Sequence, residues 1–167
     1  MKNVIQKLAA SGLLALAAGA ASAGDVTVNY IQPERFSDLP FTAWDREEVL
    51  KELTDHFAKL GAKLPPDQTL RIDVTDVDLA GREVPSRGAR DLRIVRSNSA
   101  EWPRMELRYA IERNGQVLRS GESTLRDMAF MDRIGRYSDG DSLRYERRMI
   151  DDWFYETIMP RERSARR

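Results

Sequence analysis

The sequence predicts an α+β two-layer sandwich: a mostly antiparallel sheet of about five strands, with two helices packed on one face. Three observations carry this. First, Arg104 to Arg113 alternates, with Met105, Leu107, Tyr109 and Ile111 on one side and charges on the other. Behind it stands Asn114-Gly115, the strongest short hairpin signal, and Gln116 to Leu125 returns as the partner. Second, Leu70 to Leu79 is a long β-rich run. Third, two segments, roughly 45–60 and 142–158, repeat apolar residues at helical spacing.

In chain order, Val26-Thr-Val-Asn-Tyr-Ile31 alternates and reads as the first strand, and Gln32 to Phe41, with Pro33 and Pro40, as a loop. Asp45-Arg-Glu-Glu48 has the form of a helix start. Val49, Leu50, Leu53, Phe57 and Leu60 follow on one face, Gly61 suits a C′ position, and Pro65-Pro66 bar continuation. After the Leu70 strand, Gly81 to Arg90 reads as a loop and Asp91 to Ser97 as a strand. Ser97 to Pro103 interrupts before the hairpin. Asp139-Gly-Asp-Ser142 offers N-cap residues to a helix carrying Leu143, Ile150, Trp153, Phe154 and Ile158 on one side, and Pro160 ends it. The predicted order is β-α-β-β-β-β-α, with the second face of the sheet polar and solvated.

Two strands pose a parity question. Leu70, Ile72 and Val74 share a face, but Val77 and Leu79 have the opposite parity. An unbroken strand drives Asp76 and Asp78 into the core; a break of step near Thr75 puts them on the solvated side. The cost of burying unpaired carboxylates favours the break. Glu122 raises the same issue. A hairpin register pairing Arg113 with Gln116 and Ile111 with Leu118 sets Leu107 against Glu122 on the core side. A bulge at Gly121 turns Glu122 outward. Asp73, Asp76, Asp78 and Glu122 are therefore the candidate metal-binding or acid–base residues.

Other chemistry has little to stand on. The chain has 27 basic and 27 acidic residues, no cysteine and one histidine, His56. A balanced charge gives no bulk argument for nucleic acid. Without cysteine there are no disulfides, thiol nucleophiles or cysteine zinc sites. A Ser-His-Asp triad, a P-loop and a dinucleotide fingerprint have no motif to support them, so no cofactor is expected. His56 sits in the apolar arc of the first helix and reads as a packed, hydrogen-bonded core residue. The start of the chain reads as a signal peptide: Lys2 and Lys7, an apolar run from Leu8 to Ala20, and Ala21-Ser-Ala23 as the cleavage signal. Cleavage after Ala23 leaves one α+β domain over 24–160 and a basic tail over 161–167. That implies a periplasmic location.

Trp102, before Pro103 in a loop, is a candidate for stacking on a sugar or peptide, against folding back over the sheet edge. In the tail, Arg161 and Arg163 are candidates for contact with anionic lipid head groups. Taken together, Val26-Thr-Val, Pro33-Glu-Arg-Phe-Ser-Asp38, Val74-Thr-Asp-Val-Asp-Leu-Ala-Gly81, Trp102-Pro-Arg104 and Tyr145-Glu-Arg-Arg-Met-Ile-Asp-Asp-Trp-Phe154 resemble the bacterial secreted family catalogued as domain of unknown function 3016. The resemblance spans nearly all of the mature chain and implies a Gram-negative exported protein. It supplies no activity or site residue. The functional expectation is a non-enzymatic module that binds an envelope protein or glycan through a sheet edge and the 81–90 and 97–103 loops. The alternative is a carboxylate-based metal-binding protein or hydrolase.

Overall fold

In a computed structural model, the described residues are 24–86, 88, 92–96, 100–133 and 137–160. The predicted signal peptide and the tail with Arg161 and Arg163 lie outside them. Strands β1 (Asp25–Tyr30), β2 (Gln68–Asp78), β5 (Arg104–Arg113) and β6 (Gln116–Arg126) form one sheet in the order β1-β2-β5-β6. β1 runs parallel to β2, because helix α1 (Ala43–Gly61) carries the chain back between them; the other pairs are antiparallel. The main sheet thus has four strands. The remaining two, β3 (Arg82–Val84) and β4 (Leu92–Ile94), form a separate ribbon. β3 lies inside the segment expected to be a loop; three residues bounded by Gly81 and Pro85 are too few to show a period.

Helices α1 and α2 (Arg144–Trp153) pack on the inner face. Leu53, Phe57 and Leu60 of α1, with Met149, Ile150, Trp153 and Phe154, meet Leu70, Ile72, Val74, Val77, Met105 and Leu107 of the sheet in one core. Burying each such side chain contributes about 1.5–3 kcal/mol.

Both parity questions resolve outward. In β2 the pairing shifts between Val74 and Asp76, so Thr75 is the extra residue. Val74 and Val77 both reach the core, while Asp76 and Asp78 face away with Asp73. In β6 the bulge falls at Leu118 rather than Gly121: Glu112 pairs with Val117 and Ile111 with Arg119. Leu107 consequently faces Ser123, and Glu122 lies opposite Arg108 on the outer face. Gly121 lies under the Tyr109 ring instead: a Cβ there would sit 3.0 Å from the Tyr109 hydroxyl, so the ring would have to shift by a few tenths of an ångström. The Asn114-Gly115 turn has both residues at positive φ, 51° and 76°, as a two-residue hairpin of this kind demands.

Helix ends differ in detail. α1 starts two residues early, capped by Thr42, whose Oγ1 accepts the Asp45 amide at 3.2 Å. Gly61 is the last helical residue and not a left-handed cap. Its reason is packing: a Cβ would lie 1.9 Å from Val26 Cγ2, so only glycine lets α1 touch β1 here. The end of α2 widens into a π-turn over Phe154–Ile158, closed by Met159 N–H to the Phe154 carbonyl at 2.8 Å. Trp153 and Phe154, on either side of the change, are both buried in the core. No helix among the described residues is long and apolar enough to cross a membrane.

Candidate functional site

The four candidate carboxylates lie on the outer sheet face, in two groups. Asp73 and Glu122 belong to one row across the sheet, Asn29–Asp73–Arg108–Glu122, with Asn29 Nδ2 donating to Asp73 at 2.9 Å. Arg108 separates the two acids by one strand on each side, and they line a shallow open trough with Ala110 and Ser120. Asp76 and Asp78 sit at the other end of β2. Asp76 accepts the Ser37 N–H and Oγ–H, both at 2.7 Å, and so latches the loop before α1 onto the sheet. Burial, reinforced by the Asp38 and Asp76 carboxylates, pushes the half-buried Asp78 carboxyl above its ordinary range. Asp38 itself is held by the Arg93 fork at 2.7 and 3.3 Å. Among the described residues, no three acidic or histidine side chains gather in reach of one metal ion.

Trp102 folds back, half-buried against the cluster of Ala80, Phe130 and Tyr145. His56 is buried and hydrogen-bonded, as expected of a core residue: its Nε2 lies 2.9 Å from Asp151, whose second oxygen accepts the Tyr137 hydroxyl at 2.7 Å. Burial pushes the Asp151 carboxyl up, but the hydrogen bonds from His56 and Tyr137 outweigh it and leave it below the ordinary range.

The site that sequence reasoning missed surrounds the start of α1. Phe41 is 88% exposed and Trp44 73% exposed. Folding leaves both rings wet, and exposed aromatic side chains are enriched at interaction surfaces. They lie in the segment whose flanking residues, Pro40 and Asp45, line a groove. The floor of the groove is apolar, made by Val49, Leu79 and Leu143; its rim carries Asp45, Glu48, Glu52 and Glu83. Arg93 also lines it but is engaged by Asp38, and Arg147 stands 2.7 Å from Glu52. Glu83 comes from β3, inside the 81–90 segment expected to contact partners, and accepts the Phe41 amide at 3.2 Å. The sequence signal is Phe41-Thr-Ala-Trp44, which stands ahead of the apolar periodicity that begins at Val49.

The backbone between β2 and β3 is anchored by Glu146, which is 1% exposed. Its Oε1 accepts the Ala80 N–H at 2.8 Å, and its Oε2 has no partner among the described residues. Burial, with a smaller contribution from Asp141, raises this carboxyl above the ordinary glutamate range, against the Ala80 bond and the Arg93 charge. A raised carboxyl binds its proton more tightly when folded. It therefore stabilises fully below the unfolded glutamate range and loses that contribution as pH rises through its folded value. Glu146→Gln keeps an acceptor for Ala80 but cannot titrate. Melting curves across pH 4–8 are expected to show the parent losing stability relative to the variant as pH rises; parallel profiles would refute the buried-acid reading.

A family model described as "Protein of unknown function (DUF3016)" matches residues 24–156. The chain belongs to this family. No curated protein and no solved structure matched it.

Proposed function

We propose that this DUF3016 member is an exported, non-enzymatic accessory module of the bacterial envelope. In this reading it docks a basic, partly apolar segment of a partner protein in the groove beside Phe41 and Trp44. The observation that carries the reading is a groove with an apolar floor and an acidic rim, lined by Pro40 and Asp45, whose intervening segment exposes the Phe41 and Trp44 rings. Aromatic anchors supply most of the affinity in such contacts, and the rim selects a cationic partner. The same rim disfavours the other common use of exposed Trp and Phe, insertion among anionic lipids, because the acids would be repelled by the head groups. Export is supported by the Lys2–Ala23 pattern, and by β1 and the family match both opening directly behind Ala23.

Two experiments test this. The intact mass of the protein from a periplasmic extract is expected to correspond to a chain starting at Gly24; recovery only of the full-length mass contradicts export. Titration of the 24–167 chain with a decapeptide of alternating Lys and Leu is expected to shift the Trp44 fluorescence to shorter wavelength, while a Glu-Leu decapeptide leaves it unchanged. Equal responses to both would remove the charge-selective docking site.

A further inference from the structure

We propose that a second cavity, between residues 130–133, 137–139 and the start of α2, binds a small organic oxyanion, a phosphate or carboxylate carried on an apolar group. Its lining combines Arg133, Arg144 and Arg148 with Phe130, Met131 and Tyr145. The arginines are not equivalent. Arg133 is paired with Asp152 at 2.6 Å, and Arg148 with Asp127 at 3.1 Å. Arg144 has no carboxylate partner among the described residues. Its Nη1 donates to the Asp139 carbonyl at 2.7 Å and its Nη2 to the Tyr145 hydroxyl at 2.9 Å, with the guanidinium 4.5 Å from the Tyr145 ring centroid. A guanidinium held by two neutral acceptors and a ring is oriented while its charge stays uncompensated, and its planar fork matches an oxyanion.

A second, independent observation points the same way. Arg148 is 7% exposed and lies 5.9 Å from the same ring, yet its Nε has no hydrogen-bond partner among the described residues. Buried guanidinium N–H groups ordinarily have acceptors. An oxyanion between Arg144 and Arg148 supplies one. It also accepts a hydrogen bond from the Tyr145 hydroxyl, whose proton is available because its oxygen accepts from Arg144. Asp139, the one acid in the lining among the described residues, opposes binding and is exposed, and Asp127 already takes part of the Arg148 charge. Phe130 and Met131 give the apolar part of the ligand a wall to lie on.

Calorimetric titration of the 24–167 chain with inorganic phosphate, phenyl phosphate and phenylacetate tests this. At least one phenyl anion is expected to bind more tightly than inorganic phosphate, and Arg144→Ala to weaken it at least tenfold. Arg144→Lys restores charge without the fork and is expected to recover only part of the loss. Arg144 is half-exposed, so an unchanged melting temperature serves as the folding control. Tyr145→Phe is a second variant that keeps the ring and loses the hydroxyl, with an expected loss of a few fold. Absence of binding by all three anions at millimolar concentration, or binding that Arg144→Ala leaves intact, overturns the proposal.

Discussion

Asp151→Ala is expected to destabilise the fold by about 3–5 kcal/mol, since it leaves one buried and one half-buried donor without an acceptor at about 1–3 kcal/mol each. The carboxylate is 8% exposed and accepts from both His56 and Tyr137. Its loss strands a buried imidazole and a phenol whose hydroxyl has no other hydrogen-bond partner among the described residues. These three side chains tie α1 to α2 and to the segment entering α2. For a domain of this size the melting temperature is expected to fall by roughly 10–15 °C. Asp151→Asn, which keeps the shape and one acceptor, is expected to cost less. The sign with pH follows from the lowered carboxyl: its contribution is present above the unfolded aspartate range and is lost as pH falls through the folded value. The gap between parent and Asp151→Asn should therefore close in acid. A gap that widens in acid, or a melting temperature unmoved by Asp151→Ala, contradicts the assignment of this trio as a structural tie.

How far the sequence carried this picture differs by element. The hairpin was legible because Asn114-Gly115 dictates a turn geometry that few other dipeptides permit. The core rib of β2 and its break of step were legible because Val74 and Val77 cannot both be buried without an extra residue between them. The same parity conflict predicts a bulge in β6 at Gly121, and the bulge lies three residues earlier, at Leu118. Leu118 is itself apolar and exposed, so hydropathy favours pairing it inward, whereas the observed register leaves it out. Gly61 shows a different limit: a glycine at a helix end has a conformational and a steric explanation, and only the approach of Val26 distinguishes them. The His56–Asp151 contact, 95 residues apart, leaves no local trace. Neither does the groove, whose lining comes from α1, β3, β4 and the approach to α2.

Phe41→Ala with Trp44→Ala is expected to have the largest effect on binding and almost none on folding. Both rings are mostly in solvent, so their removal should change stability by no more than about 0.5 kcal/mol, typical of surface substitutions. As central anchors they are expected to contribute about 2 kcal/mol or more each, so the double variant should bind the Lys-Leu peptide more than about 100-fold more weakly. Glu48→Lys with Glu83→Lys, which cancels the net charge of the four rim acids, should slow association and weaken its salt dependence while leaving the aromatic contact in place. An equal affinity in the aromatic double variant would place the binding surface elsewhere, with the polar trough around Asp73, Arg108 and Glu122 the next surface to test.

The most direct test of the docking account is an amide and indole chemical-shift map of the isotopically labelled 24–167 chain titrated with the Lys-Leu peptide. The account predicts that shifts concentrate on the Trp44 indole N–H and on the amides of residues 41–52, 79–84 and 142–143. The outer-face row of Asn29, Asp73, Arg108 and Glu122 should stay unmoved. Shifts gathered on that outer face, or scattered over the surface without the Trp44 indole, would contradict it.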